Sequence, residues 1–301
     1  MFKTEKAICY SGYRENQSPR EHIYPSESEV LEDLRLLAKN FKYIRMYDPY
    51  EHAKIVLHVI KTYNIDLKVM VGVEPRGEIS NPNCPWGGLH SDEEIEFNKT
   101  FNYKQLDELA ALCNTYGDII LAASVGNENT SSWHHNLMKP ETIAEYAIYL
   151  KTKIKQPVTF CEGAYNWINH GHVISEAVDF ISIHSYPVWL KTPLKDAVHM
   201  TIKDYEDTVK TFPRKPVVFT EFGWATMSNG PMIKEETNED YQKMYLDQIM
   251  PWAEEQDVTM FIFEAFDEPW KGSDQLDEPE KHWGIYDVKR HPKAYAKHAL
   301  K

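Results

Sequence analysis

Short runs of β-branched and aromatic residues recur along the chain at Lys6–Tyr10, Tyr43–Tyr47, Leu67–Val73, Ile119–Val125, Pro157–Cys161, Phe180–His184, Pro216–Phe219 and Met260–Phe263. Most are separated by stretches whose apolar residues repeat every three to four positions. Ser28–Lys39 places Val30, Leu31, Leu34, Leu37 and Ala38 on one face, and His52–Tyr63 does the same with Ile55, Val56, Val59 and Ile60. Tyr103–Asn114, Ile143–Lys153 and Asn238–Glu255 repeat the pattern, with weaker helical signals at Gly171–Ala177 and Leu194–Lys210, and Pro292–Leu300 closing the chain. The first period belongs to strands buried on both faces, the second to amphipathic helices. Eight such alternations without a linker predict an α/β fold, a single (β/α)8 barrel spanning residues 1–301. An open doubly wound sheet that bound nucleotide would need a glycine-rich phosphate turn after an early strand, and none is present.

Composition narrows the function. The 33 Lys and Arg stand against 46 Asp and Glu, a net charge of −13, which argues against nucleic acid or an anionic membrane surface as partner. No apolar run reaches the ~18 residues needed to span a bilayer. Met1–Tyr10 is charged and does not read as a leader peptide. The four cysteines are widely spaced and read as free structural thiols. No cofactor and no metal are expected, and the oligomeric state is not legible. Eight Trp, 18 Tyr and 12 Phe exceed what packing asks for, and such rings suit ring-shaped polar ligands.

In a barrel of this kind, chemistry sits at the C-terminal ends of the strands. Those positions read Arg45-Met46-Tyr47-Asp48, Val125-Gly126-Asn127-Glu128, His184-Ser185-Tyr186-Pro187, Thr220-Glu221-Phe222-Gly223-Trp224 and Glu264-Ala265-Phe266-Asp267-Glu268. Seven tryptophans, at 86, 133, 167, 189, 224, 270 and 283, fall in segments that follow strands. The expectation is a barrel mouth rich in carboxylates and lined by aromatics. Glycoside hydrolysis uses two carboxyl groups flanking the scissile bond. Glu128 and Glu221, at the ends of the fourth and seventh strands, are the best pair because those strands face each other across the barrel. Individually, Glu264, Asp267 and Glu268 read as solvated loop charges. Arg45 reads either as a support beneath a carboxylate or as a structural ion pair.

The strand-4 and strand-7 motifs resemble the acid/base and nucleophile motifs of glycoside hydrolase family 17, the β-1,3-glucanases and glucanosyltransferases. Tyr10-Ser11-Gly12-Tyr13-Arg14, Tyr43–Asp48 and Phe263–Lys271, with Glu280 and His282-Trp283-Gly284, are similar to further stretches of its bacterial branch. The resemblance covers essentially the whole chain. It implies a retaining hydrolase of β-1,3-glucan (laminarin-type) polysaccharide or oligosaccharide, with Glu128 as acid/base and Glu221 as nucleophile. It implies Asn127 on the sugar 2-hydroxyl, Tyr47 and Tyr186 lining the reacting subsite, and Glu268, Lys271 and Glu280 supporting it. Tyr10 and Trp224, in the same motifs, are expected to contact substrate. A glucanosyltransferase using the same glutamates is the alternative, followed by an inactive glucan-binding barrel and, on the strength of His134-His135 and His170-x-His172, a metallohydrolase. Because polymeric glucan does not cross membranes, the expected location is extracellular, cell-surface or periplasmic, with a leader removed. Phe222 and Ala225 depart from plant-type members, as does the strand-6 sequence. The long Glu74–Phe101 connection is expected to block or extend one end of the cleft.

Overall fold

The structure, a computed structural model, describes residues 2–300; Met1 and Lys301, the ends of the expected span, lie outside the described residues. Eight strands, β1 (Ala7–Cys9), β2 (Tyr43–Met46), β3 (Lys68–Gly72), β4 (Ile120–Asn127), β5 (Val158–Gly163), β6 (Ile181–Ser185), β7 (Val217–Phe222) and β8 (Met260–Ile262), pair in sequence order into a closed barrel. All pairings are parallel, and Ala7 closes the ring by pairing with both Tyr43 and Phe261. The predicted (β/α)8 barrel is therefore the fold. The helices around it are α1 (Glu27–Leu37), α2 (Glu51–Tyr63), α3 (Asp92–Thr115), α4 (Pro140–Lys151), α5 (Ala164–His170), α6 (His172–Ala177), α7 (Leu194–Thr211), α8 (Glu239–Glu255) and α9 (Ala294–Ala299).

Local chemistry explains where the helices begin. Ser26 and Ser91 each form a reciprocal capping box, with Glu29 and Glu94, that satisfies the free N–H groups of the first turn. The Ser91 cap corrects the expected 74–101 connection: its last third, from Asp92, is the start of α3. That turn is polar and acidic, so no apolar stripe marks it. The weak signal at 171–177 is likewise the second of two short helices, broken at Gly171, where a Cβ would fall 2.4 Å from the Trp167 ring. Val56, Val59 and Ile60 of α2, and Tyr245, Leu246 and Ile249 of α8, seal against the strands. Burying each such aliphatic side chain contributes about 1.5–3 kcal/mol. All four cysteines are free and buried, as expected. Among the described residues, no helix is long and apolar enough to cross a membrane.

The strand pairings slip by a residue between Ser124 and Asn127, between Ile183 and His184, and between Phe219 and Phe222. These three slips lie toward the C-terminal end of the barrel, and a fourth, between Val69 and Met70, lies near the start of β3. A bulge bends the strand and re-aims the side chains beyond it. Here the extra residue falls in β4, between Ser124 and Asn127, and in β7, between Phe219 and Glu221, just where their polar residues begin.

Candidate active site

Arg45 stands inside the upper barrel, 2% exposed. Its guanidinium is the hub of the site. Nη1 donates to the Glu221 carboxylate, to the Thr220 carbonyl at 3.2 Å and to the Tyr47 hydroxyl at 3.4 Å. Nη2 donates to Asn127 Oδ1 at 2.6 Å, and the planar group lies 4.4 Å from the centroid of the Tyr47 ring. One rigid fork thus ties β2, β4 and β7 together, a task that a lysine's single ammonium does poorly. Of the two readings of Arg45, support beneath a carboxylate is the one the structure shows.

Glu128 follows β4 with φ +57°, in the left-handed region that side-chain-bearing residues avoid at a cost of roughly 1–2 kcal/mol. The turn is held from both sides. Asn129 Oδ1 accepts from the Asn127 N–H at 2.8 Å, and the Glu128 N–H donates to the Cys161 carbonyl of β5 at 2.8 Å. This turn aims the Glu128 side chain inward, where one of its carboxylate oxygens, one of Glu221's and Nδ1 of His184 all lie within 4.8 Å of one another.

His184, from β6, is buried between the two carboxylates, its Nδ1 2.8 Å from Glu128 Oε1 and 3.4 Å from Glu221 Oε2. Burial alone would strip the ring of its proton, but the two carboxylates, Glu221 foremost, hold it and lift the pKa to about 10. Burial would likewise raise Glu221; the His184 and Arg45 charges, with a 2.7 Å hydrogen bond from the Tyr186 hydroxyl, bring it down to about 2. At neutral pH the site therefore holds an ionised Glu221 beside an imidazolium. A carboxylate oxygen from each glutamate and a ring nitrogen of His184 also lie close enough together to span a metal ion. His184 went unassigned in the sequence. Its spacing of two from Tyr186 was the available signal.

The strand-8 segment supplies the opposite wall, and here the reading of Glu264, Asp267 and Glu268 as solvated charges is overturned. Glu264 and Glu268 are 1% and 0% exposed, and Asp267 accepts from Lys293 Nζ at 2.6 Å. The cause is a returning chain: the Glu264 N–H donates to the Trp283 carbonyl, the Ile285 N–H to the Glu264 carbonyl and the Glu268 N–H to the Lys281 carbonyl. Lys271 Nζ lies 2.5 Å from Glu268 and 3.4 Å from Glu264. Burial and the neighbouring Glu268 push the Glu264 carboxyl well up, while burial of Glu268 is outweighed by Lys271, which keeps it low. One lysine thus lies within reach of two buried carboxyls. Burial also raises Glu280, with Lys271 opposing.

Tyr186 and Tyr47 face this centre, Tyr186 packing edge-on against Phe263 and Trp283 with ring centroids 5.8 and 5.1 Å away. Two of the residues expected to touch substrate are buried against other parts of the protein. Tyr10 is 1% exposed, with its hydroxyl on Asp33 Oδ2 at 3.1 Å. Trp224, also 1% exposed, donates from Nε1 to the Glu236 carbonyl and packs on Tyr245. Both are wall residues between barrel and helices. Trp167 is core too, bonded to the Ser182 carbonyl. Trp86 and Trp133, 65% and 44% exposed with centroids 6.3 Å apart, form an exposed aromatic pair on the loops after β3 and β4.

Comparison with known proteins places this arrangement. The chain is 25% identical over 293 residues to a probable glucan endo-1,3-beta-glucosidase btgC of Aspergillus clavatus, covering 88% of this chain and 39% of that protein. It is 23% identical to the glucan endo-1,3-beta-glucosidase btgC of Emericella nidulans, over 89% of this chain and 42% of the relative. The chain thus spans about two-fifths of the length of these fungal relatives. Among solved structures, an endo-laminarinase from Formosa superposes with a TM-score of 0.82 at 25% identity, covering 96% of this chain and 85% of that one. A beta-1,3-glucanosyltransferase of Rhizomucor miehei shares the fold, with a TM-score of 0.76 at 16% identity and 96% of each chain covered. Residues 7–284 match the family model of the BtgE/BtgC glycoside hydrolase domain, and the chain belongs to that family.

Proposed function

We propose that this protein, as one barrel domain across residues 1–301, is a retaining hydrolase of β-1,3-glucan of the family 17 type. The observation that carries the proposal is the approach of Glu128 and Glu221, with carboxylate oxygens within 4.8 Å across the barrel mouth. Retaining enzymes place their carboxyl groups ~5–5.5 Å apart, whereas inverting ones need ~6.5–9.5 Å to admit a water. The similarity to glucan endo-1,3-beta-glucosidases and to an endo-laminarinase supplies the substrate class.

In this reading Glu221, kept ionised by Arg45 and His184 and oriented by Tyr186, attacks the anomeric carbon as Glu128 protonates the departing glycosidic oxygen. The sugar is then held as an ester on Glu221. Glu128, now a carboxylate, takes a proton from water, which displaces Glu221 and restores the original anomeric configuration. Asn127 gives its Oδ1 to Arg45, which leaves the amide N–H groups to donate to the sugar 2-hydroxyl. Lys271, Glu268 and Glu280 line the strand-8 side, and Tyr47 and Tyr186 offer ring faces to the sugar. Because a polymeric glucan does not cross membranes, this reading places the site of action outside the cell, on its surface or in the periplasm.

The test is a Glu221→Gly variant given azide and dinitrophenyl β-laminaribioside. Recovery of an α-glycosyl azide identifies Glu221 as nucleophile; its absence with activity otherwise intact rejects the assignment. Wild-type products from laminarin oligosaccharides decide between hydrolysis and transfer, since products longer than the starting oligomer mean transfer.

A further inference from the structure

The loop that aims Glu128 is held by a buried carboxylate that takes no part in the reaction as described. Glu162, near the end of β5, is 1% exposed. Its Oε2 accepts from the Thr130 N–H at 3.0 Å and the Thr130 hydroxyl at 2.6 Å. Its Oε1 accepts from the Ser131 hydroxyl at 2.9 Å, the Gly163 N–H at 2.7 Å and Asn166 Nδ2 at 3.2 Å. Asn166 reinforces the clamp with a second bond to the Ser131 hydroxyl at 2.7 Å. No Lys or Arg appears among these donors. A buried carboxylate without a cation is expensive, and five hydrogen bonds are what make this one tolerable.

Three of the five donors belong to Thr130 and Ser131, two and three residues beyond Glu128. Glu128 itself sits at φ +57°, a conformation that persists only where its surroundings over-determine it. On the near side Asn129 bonds back to the Asn127 N–H, and in the middle the Glu128 N–H reaches the Cys161 carbonyl, one residue before Glu162. The far side is held by Glu162. We infer that Glu162 is a positioning residue, which fixes the turn after β4 from the rigid frame of β5 and so keeps the Glu128 carboxyl within hydrogen-bond reach of the glycosidic oxygen. The inference rests on the acid/base reading of Glu128 proposed above. It deepens that reading by naming what sets the acid's geometry.

A purely structural carboxylate and a positioning one differ in a measurable way. Protonation of the leaving oxygen matters for a sugar alkoxide, and hardly at all for dinitrophenolate, which departs unaided. Glu162→Ala is expected to lower kcat/KM on laminarin about 10²-fold, the size of a misplaced catalytic group. On dinitrophenyl β-laminaribioside, kcat/KM should stay within about threefold of wild type, because general acid catalysis supplies little there. Glu162→Gln, which keeps the shape and one acceptor oxygen, should show the same leaving-group dependence with a smaller loss. Equal losses on the two substrates, or no loss on laminarin, overturn the inference. Glu128→Gln, assayed in parallel, separates the two claims: if it also affects both substrates equally, the acid/base assignment falls. If it shows the leaving-group dependence and the Glu162 variants do not, the positioning role alone falls. Should Glu162→Ala fail to fold, Glu162→Gln and Ser131→Ala decide by the same criterion.

Discussion

Nδ1 of His184 lies 2.8 Å from Oε1 of Glu128, so the proposed acid hydrogen-bonds to a ring that carries a positive charge of its own. The same ring is the strongest opposing charge on Glu221, ahead of Arg45. His184 therefore steadies negative charge on whichever carboxylate bears it: Glu221 before attack, and Glu128 once its proton has gone to the leaving group. Replacing it by Gln keeps a polar side chain and removes the cation. Glu221 then climbs from about 2 toward the usual carboxylate range. Since Glu221, as the proposed nucleophile, must be ionised to attack, the acid limb of the kcat/KM–pH profile should move to higher pH by about 1–3 units, the usual influence of an adjacent opposite charge. A limb that stays in place in His184→Gln contradicts the electrostatic role.

The same linkage predicts how stability responds to pH. The folded-state pKa of His184 is raised from 6.5 to about 10, so the stability it contributes is whole below pH 6.5 and fades as pH rises through about 10. For Glu221 the folded value is depressed from 4.5 to about 2, so its contribution is present above pH 4.5 and disappears as pH falls through about 2. Urea denaturation of wild type and His184→Gln should accordingly show a gap that narrows between neutral pH and about pH 10. A gap independent of pH over that range would mean that the ring is neutral in the folded protein.

Glu128→Gln and Glu221→Gln should fail in different ways. Loss of a general acid and base lowers turnover of laminarin by about 10²–10⁴-fold. Glu128→Gln should do this while still cleaving a dinitrophenyl glycoside to the glycosyl-enzyme, giving a burst of phenolate followed by slow turnover that azide accelerates with retention. Glu221→Gln should give no burst on the dinitrophenyl glycoside and no turnover of laminarin. Rapid-mixing absorbance of the released phenolate distinguishes the two, and a burst from Glu221→Gln would reverse the assignments.

Arg45 engages Glu221, Asn127, Thr220 and Tyr47 with one guanidinium. Lysine at this position keeps the charge but cannot make contacts in two directions. Hydrogen bonds to charged groups are worth about 1.5–3 kcal/mol each, so losing one of this set should lower kcat/KM for Arg45→Lys roughly 10- to 100-fold. Part of the loss should appear as a raised acid limb, because Glu221 is then less well compensated. Steady-state kinetics on laminarin across pH test both, and an Arg45→Lys enzyme with wild-type kcat/KM would show that the fork geometry is immaterial.

Much of the proposed site was legible in the sequence because the barrel sets its place: such barrels carry their chemistry at strand ends, and Glu128, Glu221, Asn127 and Arg45 lie at strand ends. What parity along the strands does not reveal is direction beyond a bulge. The pairing slips at Ser124/Asn127, Ile183/His184 and Phe219/Phe222, and past such a point alternation no longer tells which side chain faces the axis. Trp224, two residues beyond the β7 slip, turned out to pack on Tyr245 rather than face the cleft. The charge on His184 was hidden for a different reason: it depends on carboxylates 56 and 37 positions away in sequence, brought together only by barrel closure. Glu264 and Glu268 are buried by the return of residues 281–286 over them, a long-range contact that leaves no periodic trace.

The C-terminal segment is tied to the barrel by an ion pair remote from these carboxylates. Arg290 donates from Nε and Nη2 to the two oxygens of Asp33, each at 2.7 Å, and from Nη2 to the Gly12 carbonyl at 2.8 Å. Asp33, fully buried in α1, also accepts from Arg14 at 3.0 Å and from Tyr10. Burial raises the Asp33 carboxyl, and the two arginines work against that rise. Removing one partner of a buried, bidentate pair leaves the other charge desolvated, a loss of about 3–5 kcal/mol. Arg290→Ala should therefore lower the free energy of unfolding by that order in urea denaturation at neutral pH. Its kcat on laminarin, measured where the variant is still folded, should stay near wild type, because Arg290 contacts neither Glu128 nor Glu221. Arg290→Lys should fall in between, keeping the charge and losing the two-pronged contact. A loss below about 1 kcal/mol, the range of an exposed pair, would mean that Arg14 alone compensates Asp33.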